Sequence, residues 1–495
     1  MWIISSILFI AILGLLAYLD TRKPKNFPPG PRWYPLIGCA WELYKLRKST
    51  GSLSKTTGAL AAKYGPVTGV RIGTDRIVFA YGFKAIHEFT TKDEFNGRPH
   101  GIFYRTRTWG KRRGVLLTDS EFWQDQRKFV LRQLREFGFG KKTMSNMIEE
   151  EGSVLIENIK KKIDNTGGAC VIRMDDIFGI HVLNTLWTMM TGNKCSSDDK
   201  EIRRLQVILT DLLSKVHMDG ALFSHYPILR HLCPDYSGYN MYLGIHKRMW
   251  RFFALEIQKI KETYNPYDLR GFMDVYLKML NSPKKKESFT EGQLLAICMD
   301  LFIAGSETTT KTLGFGFLYL LLYPEVQRKA QEEIDRVIGR DRLPTLNDRP
   351  NLQYVECVVL ESLRMFGAKA FIIPHRAAKD AYLNGYLIPK DTILLGSLQS
   401  ALYDKEAGWE NPEVFDPERY IKDGNIHVPD HFIPFGFGKH RCMGETLARA
   451  NVFLIVACLL QNFTFTALPN EPPSPDFVDG VTPGPKPFRA LVTLR

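Results

Sequence analysis

The chain has no pair of cysteines at a metal-ligand spacing and no CxxC. Its eight cysteines, Cys39, Cys170, Cys195, Cys233, Cys298, Cys357, Cys442 and Cys458, are scattered over 495 residues. That excludes a small disulfide-stapled module and argues for reduced thiols in a cytosolic milieu. Beyond residue 31 there is no further linker of Pro, Gly and Ser and no internal repeat, so one large domain is expected over residues 32–495. Acidic charge is in short supply, with 53 Asp+Glu against 66 Lys+Arg and a formal net charge of +13. With 44% hydrophobic and 24% charged residues, disorder is excluded as well.

One long hydrophobic run is present. Residues 2–19, WIISSILFIAILGLLAYL, carry no charge and would make a helix about 27 Å long, close to the roughly 30 Å of a hydrocarbon core. Asp20, Arg22, Lys23 and Lys25 follow it, where a cleaved signal peptide would want basic residues before the run and a small-x-small site after it. The expectation is an uncleaved anchor over residues 1–20. The positive cluster after the span puts the body on the cytoplasmic face. Pro24, Pro28, Pro29, Gly30 and Pro31 then make a basic, semi-rigid hinge over residues 21–31.

Most of the body has helical period, notably residues 123–137, 149–163, 291–322, 324–338, 352–366 and 445–463. Strand signals are few: residues 67–72 and 77–81 around Gly73-Thr74-Asp75, and residues 382–388 around Asn384-Gly385, which suits a type I′ turn. The fold class expected is therefore mainly α with small β-hairpins. Residues 291–322 are so apolar that the helix should run through the middle of the domain, and Ser288-x-x-Glu291 reads as its capping box.

Four constellations could carry chemistry. Phe435-Gly-Phe-Gly-Lys-His-Arg-Cys-Met-Gly444 presents Cys442 on a backbone bend before a helix. Without Cβ atoms at Gly436, Gly438 and Gly444 a flat ligand can lie against the backbone, and N–H groups at the helix start can stabilise a thiolate suited to iron. The bland alternative is a structural cysteine in a glycine-rich turn. Ala304 and Thr308 lie four residues apart on one face of the apolar helix, with Gly305 a costly mid-helix residue that is either a packing glycine or part of a site. Glu361-x-x-Arg364 is one helical turn apart and by itself could be an ordinary surface pair. Trp123 and Arg127, at i and i+4, could together meet a carboxylate, or be a half-buried Trp beside a surface Arg.

The decapeptide at 435–444 resembles the Phe-x-x-Gly-x-(Arg/His)-x-Cys-x-Gly loop of the cytochromes P450 at each fixed position. The likeness runs from about Pro28 to the C-terminus and includes the oxygen-site pattern at Ala304-Gly-Ser-Glu-Thr-Thr309, ExxR at Glu361 and Arg364, Pro417-Glu-Arg-Tyr420 and WxxxR at Trp123 and Arg127. This resemblance implies the P450 fold and a haem b whose iron takes Cys442 as axial ligand. The cysteinate-ligated haem of this family is a standard case of a thiolate favouring O–O cleavage. It implies propionate contacts from Arg98, Trp123, Arg127, His375 and His440, and a proton relay through Thr308 aided by Glu307. Arg419 is implied to complete a buried charge triad with Glu361 and Arg364, and Phe is commoner than Tyr420 beside it.

A monooxygenase so built is expected to take electrons from NADPH through a flavoprotein reductase, with a cytochrome b-type protein as a further donor, at the endoplasmic reticulum membrane. Arg127, Lys128, Arg132, Arg135, Lys439 and Arg441 would offer that partner a basic face, or simply a solvated one. Stretches such as Gly114-Val-Leu-Leu-Thr-Asp119 and Glu445-Thr-Leu-Ala-Arg-Ala-Asn451 are similar to the insect microsomal branch, and within it to the juvenile-hormone-forming epoxidases. The expected reaction is epoxidation of methyl farnesoate or farnesoic acid, a hydrophobic small molecule. A hydroxylase of ecdysteroids, cuticular lipids or xenobiotics would carry the same motifs, and a haem-based sensor would need only the cysteine loop.

Overall fold

A computed structural model describes residues 2–196 and 199–495. Its axis is the 32-residue helix Glu291–Leu322, buried on nearly every side. The helix has no proline until Pro324, which cannot continue it and instead opens the next helix, Pro324–Val337, at its first turn. The start differs from the sequence expectation. Thr290 is the N-cap, its hydroxyl accepting from the Gln293 amide at 3.1 Å, while Ser288 accepts from the Gln126 side chain. The Thr290 hydroxyl satisfies the orphan N–H of Gln293, two residues beyond the Glu291 N–H that a Ser288 cap would have reached. The Gln293 side chain binds both the N–H and the carbonyl of Gly114.

Three other expected helices form within a few residues of their predicted bounds, as Ser120–Glu136, Gln353–Gly367 and Glu445–Asn462, while the one expected over residues 149–163 begins much earlier, as Lys142–Asn165. Both hairpins form as well. Ile72 pairs with Asp75, and Asn384 and Gly385 both have positive φ, as a type I′ turn requires. The first hairpin joins a four-stranded sheet in the order Val67–Ile72, Asp75–Ala80, Ile393–Gly396, His375–Arg376. In that sheet Ile77 pairs in parallel with Ile393 and His375 in antiparallel with Leu394. The sheet edge thus places His375 and Arg376 beside residues 96–98. Three further strands, Ala169–Arg173, Phe463–Ala467 and Arg489–Leu494, close a second small sheet.

The helix Trp2–Asp20 has no buried residue and is the one helix, among the described residues, long and apolar enough to cross a membrane. Asp20 at its end is tied to the body by Arg71, at 2.7 Å from Nη2 to Oδ2.

Candidate active site

The loop before the helix Glu445–Asn462 folds back on itself. The Cys442 amide donates to the Phe435 carbonyl at 3.0 Å, and Arg441 N–H to Gly438 O at 3.1 Å. Its glycines do different jobs. Gly436, at φ +73°, has nothing near the place of a Cβ, so this side of the loop is open. A Cβ on Gly438 would fall on the Thr90 carbonyl oxygen, so this glycine is needed to seat the loop on the helix Phe83–Thr91 and leaves a ligand no extra room. Cys442 is accessible although it lies deep in the chain. Burial pushes its thiol above the usual range, outweighing the Gly444 N–H and the charges of Arg127 and Arg441 that favour the thiolate. The helix start alone does not make a thiolate here.

Beside the loop the predicted anion-binding side chains converge. The His440 ring lies 4.1 Å from Trp123 and 5.3 Å from His375, centre to centre, and Arg127 sits 5.4 Å over the Trp123 ring. Arg98 is 3% exposed, and its Nη1 donates to the carbonyls of Ile373 and Pro374 while its Nε has no partner. Burial pulls the Arg98 guanidinium down to about 9. Burial, and then the Arg98 charge, hold His375 well below its usual range and His440 at about 3. His375 Nδ1 pairs with Phe95 O and His440 Nε2 with Asn96 O. One expectation changes. The Trp123 indole N–H donates to Val115 O at 3.1 Å, so Trp123 contributes a stacking face and no free donor.

On the central helix, Ala304 is exposed and Thr308 half-buried in the midst of buried neighbours, so this stretch faces open space inside the protein. The Thr308 hydroxyl donates to Ala304 O at 2.8 Å. Gly305 looks elsewhere: a Cβ there would strike the Leu186 side chain, which makes it a packing glycine between two helices. Glu307 also turns away from Thr308. Its Oε1 accepts from Thr210 Oγ1 at 2.6 Å, Lys311 Nζ lies 3.8 Å from Oε2, and burial raises its carboxyl above the usual range.

Glu361 and Arg364 are no surface pair. Both side chains have no exposure, and two hydrogen bonds of 2.8 and 2.6 Å join them. Arg419 Nε reaches Glu361 at 3.1 Å, which assembles the expected triad. Tyr420 adds what a phenylalanine could not, an O–H donated to Glu361 Oε2 at 3.0 Å.

The cytochrome P450 family model matches residues 28–492. The chain belongs to the cytochrome P450 family. It is a haem-thiolate monooxygenase, an oxidoreductase whose family uses haem with a cysteine thiolate and draws typically on NADPH through a reductase. Among its relatives, a probable cytochrome P450 303a1 of Drosophila melanogaster is 42% identical over 99% of this chain and 98% of that protein. A farnesoate epoxidase of Bombyx mori is 34% identical over 99% and 98%. Cytochrome P450 2J3 of Rattus norvegicus is 34% identical over 98% and 95%.

The residues of this P450 fit haem. Cys442 offers an accessible sulfur, Gly436 an open backbone, and Arg98 a buried cation with an orphaned Nε beside two neutral imidazoles, an arrangement that costs energy until an anion arrives. Asp119, Thr210 and the Tyr420 hydroxyl were missed in the sequence. Asp119 stands just before a helix, where the ordinary reading is an N-cap. Thr210 is 97 residues from the glutamate it binds, and no local signal links them.

Proposed function

We propose that Cys442 is the axial ligand of the haem iron, that Arg98, Arg127, His375 and His440 bind its carboxylates, and that Trp123 stacks beside them. One observation carries this reading: an accessible cysteine on a backbone bend shares its surroundings with Arg127, the stacked Trp123 and His440 rings and a buried Arg98 whose Nε has no partner. Haem held by a cysteinate supplies activation of O2 and transfer of one oxygen atom to a substrate. The chain's own part is to exclude water with the apolar central helix and to hold a proton at Thr308 Oγ1. Rotation of that hydroxyl away from Ala304 O aims its proton into the open space. Glu307, kept toward its protonated form by burial, would resupply protons through a swing of its side chain or an intervening water, since Thr210 and Lys311 now hold it. In Thr308→Ala, NADPH oxidation should continue while product formed per NADPH falls at least about tenfold. Stopped substrate assays with NADPH and product counted together check this, and unchanged coupling would refute the relay.

The substrate we assign is methyl farnesoate or farnesoic acid, epoxidised at a double bond. Support comes from full-length similarity to the Bombyx mori farnesoate epoxidase at 34% identity. The Drosophila melanogaster relative, at 42%, bears a name that states no substrate. The apolar helix Trp2–Asp20 supports a single-pass anchor in the endoplasmic reticulum membrane, with the body on the cytoplasmic side. Electrons would come from an NADPH-dependent flavoprotein reductase or a cytochrome b-type donor. Lys128, Arg132 and Arg135 are exposed on the helix that carries Arg127 and suit an acidic partner. The test is incubation of the haem-loaded protein with a microsomal reductase, NADPH and each substrate, read by mass spectrometry. An NADPH-dependent monoepoxide is expected. A sound carbon monoxide spectrum with no oxygenated product would remove these substrates and return the hydroxylase reading.

A further inference from the structure

Asp119 occupies the N-cap position of the helix Ser120–Glu136, yet its side chain makes no capping bond to that helix. It turns backward instead. Oδ2 accepts the main-chain N–H of Arg98 at 2.6 Å and Arg376 Nη2 at 3.2 Å, and Oδ1 accepts Arg112 Nη1 at 2.9 Å. The same two arginines close on the other end of that residue: Arg376 Nε donates to Arg98 O at 3.0 Å and Arg112 Nη2 at 3.3 Å. Both main-chain groups of Arg98 are therefore gripped by one ring of side chains with Asp119 at its centre. The arrangement has local costs. A favourable cap is forgone, and the next residue, Ser120, sits at φ +65°, a conformation that L residues other than Asn and Asp rarely adopt.

The ring links the segments that carry the anion-binding side chains. Arg98 itself lies in one, Arg376 follows His375 in the sheet edge, and Asp119 begins the helix that presents Trp123 and Arg127. Charge points the same way. Arg98, Arg112, Arg127 and Arg376 bring four positive charges together, and the carboxylates paired among them are Asp119 and Asp391. Two positive charges are left over, and haem has two carboxylates.

We infer that Asp119 is the positioning residue of the haem-carboxylate site: it fixes the Arg98 main chain and holds Arg112 and Arg376 beside it, so that the cluster is arranged for two further carboxylates. This rests on the haem placement proposed above. Asp119 touches no reacting atom. With Asp119→Asn one bond to Arg98 N–H can survive, but the charge is lost and an NH2 group faces Arg112. Haem should then pass to excess apomyoglobin about 10–100-fold faster, the range for losing a partner that orients the groups holding a metal centre. The iron midpoint potential should rise, because removing a nearby negative charge disfavours the more positive ferric state. The thiolate-type carbon monoxide spectrum should persist, and Asp119→Glu should restore most of the haem retention.

Full-length haem-loaded protein in detergent serves for all of these measurements. Parent-like haem transfer together with a parent-like potential in Asp119→Asn would overturn the inference. If that variant does not accumulate with haem, Arg112→Gln removes one partner and leaves the carboxylate. It should speed haem transfer by a smaller factor, and no acceleration would be decisive against the assignment. Cys442→Ser, run in parallel, separates the two levels. A retained thiolate spectrum there sinks the haem placement and this inference with it, whereas its loss alongside a parent-like Asp119→Asn sinks only the role of Asp119.

Discussion

Cys442→Ser should abolish the thiolate-type spectrum of the reduced carbon monoxide complex and bring NADPH-dependent oxygenation to background. Serine is nearly isosteric and the loop hydrogen bonds run through main-chain groups, Cys442 N to Phe435 O among them, so the fold should survive and the loss be chemical. The sulfur sits where burial pushes its proton affinity up, and Gly444, Arg127 and Arg441 only partly oppose this. The free protein therefore holds a thiol, and ligation must expel its proton. Haem affinity of the unloaded protein should accordingly increase as pH rises toward the elevated pKa of that thiol, because more protein is already deprotonated. Titration of the unloaded chain with haem at pH 6 to 9, followed at the absorbance band of the ligated iron, measures this. A flat profile would mean that another group ligates.

The sequence made the site's contacts legible wherever they are local. The bend that presents Cys442 with Gly436 before it, the i, i+4 spacing of Ala304 and Thr308 and the Asn384-Gly385 turn each state their backbone geometry within a few residues. Where a side chain answers to a distant segment, local pattern fails. Glu307 is adjacent to Thr308 in sequence but turns to Thr210 on another helix. Gly305 and Gly438 look like room for a ligand until Leu186 and Thr90 are found against them. Trp123 offers a free N–H on a helical wheel, yet Val115 has taken it. The helix Gly179–Thr191, buried almost throughout, lacks the one-sided stripe by which a surface helix announces itself, and Leu186 comes from it.

Glu361 and Arg364 supply the largest expected loss of stability. Spacing alone would allow an exposed pair worth a few tenths of a kcal/mol. Here neither side chain has any exposure, so Glu361→Gln should leave a buried guanidinium without its charge partner and cost about 3–5 kcal/mol. Against a total of about 5–15 kcal/mol, little folded protein should accumulate. Replacing both members by leucine is often harmless for a buried pair, because the two desolvation costs vanish together. That rescue should fail in this protein. Arg364 also donates to the carbonyls of Leu402, Pro412 and Val414, and Glu361 accepts from Arg419, Tyr420 and the Asp416 amide. The double variant would strand those groups, each at about 1–3 kcal/mol. Urea unfolding followed by tryptophan fluorescence should therefore find the double variant no more stable than Glu361→Gln. Recovery to parental stability would instead reduce the network to an isolated ion pair. The bonds to residues 402–420 also explain why this motif is a structural one: they pin the stretch of chain that precedes the 435–444 loop.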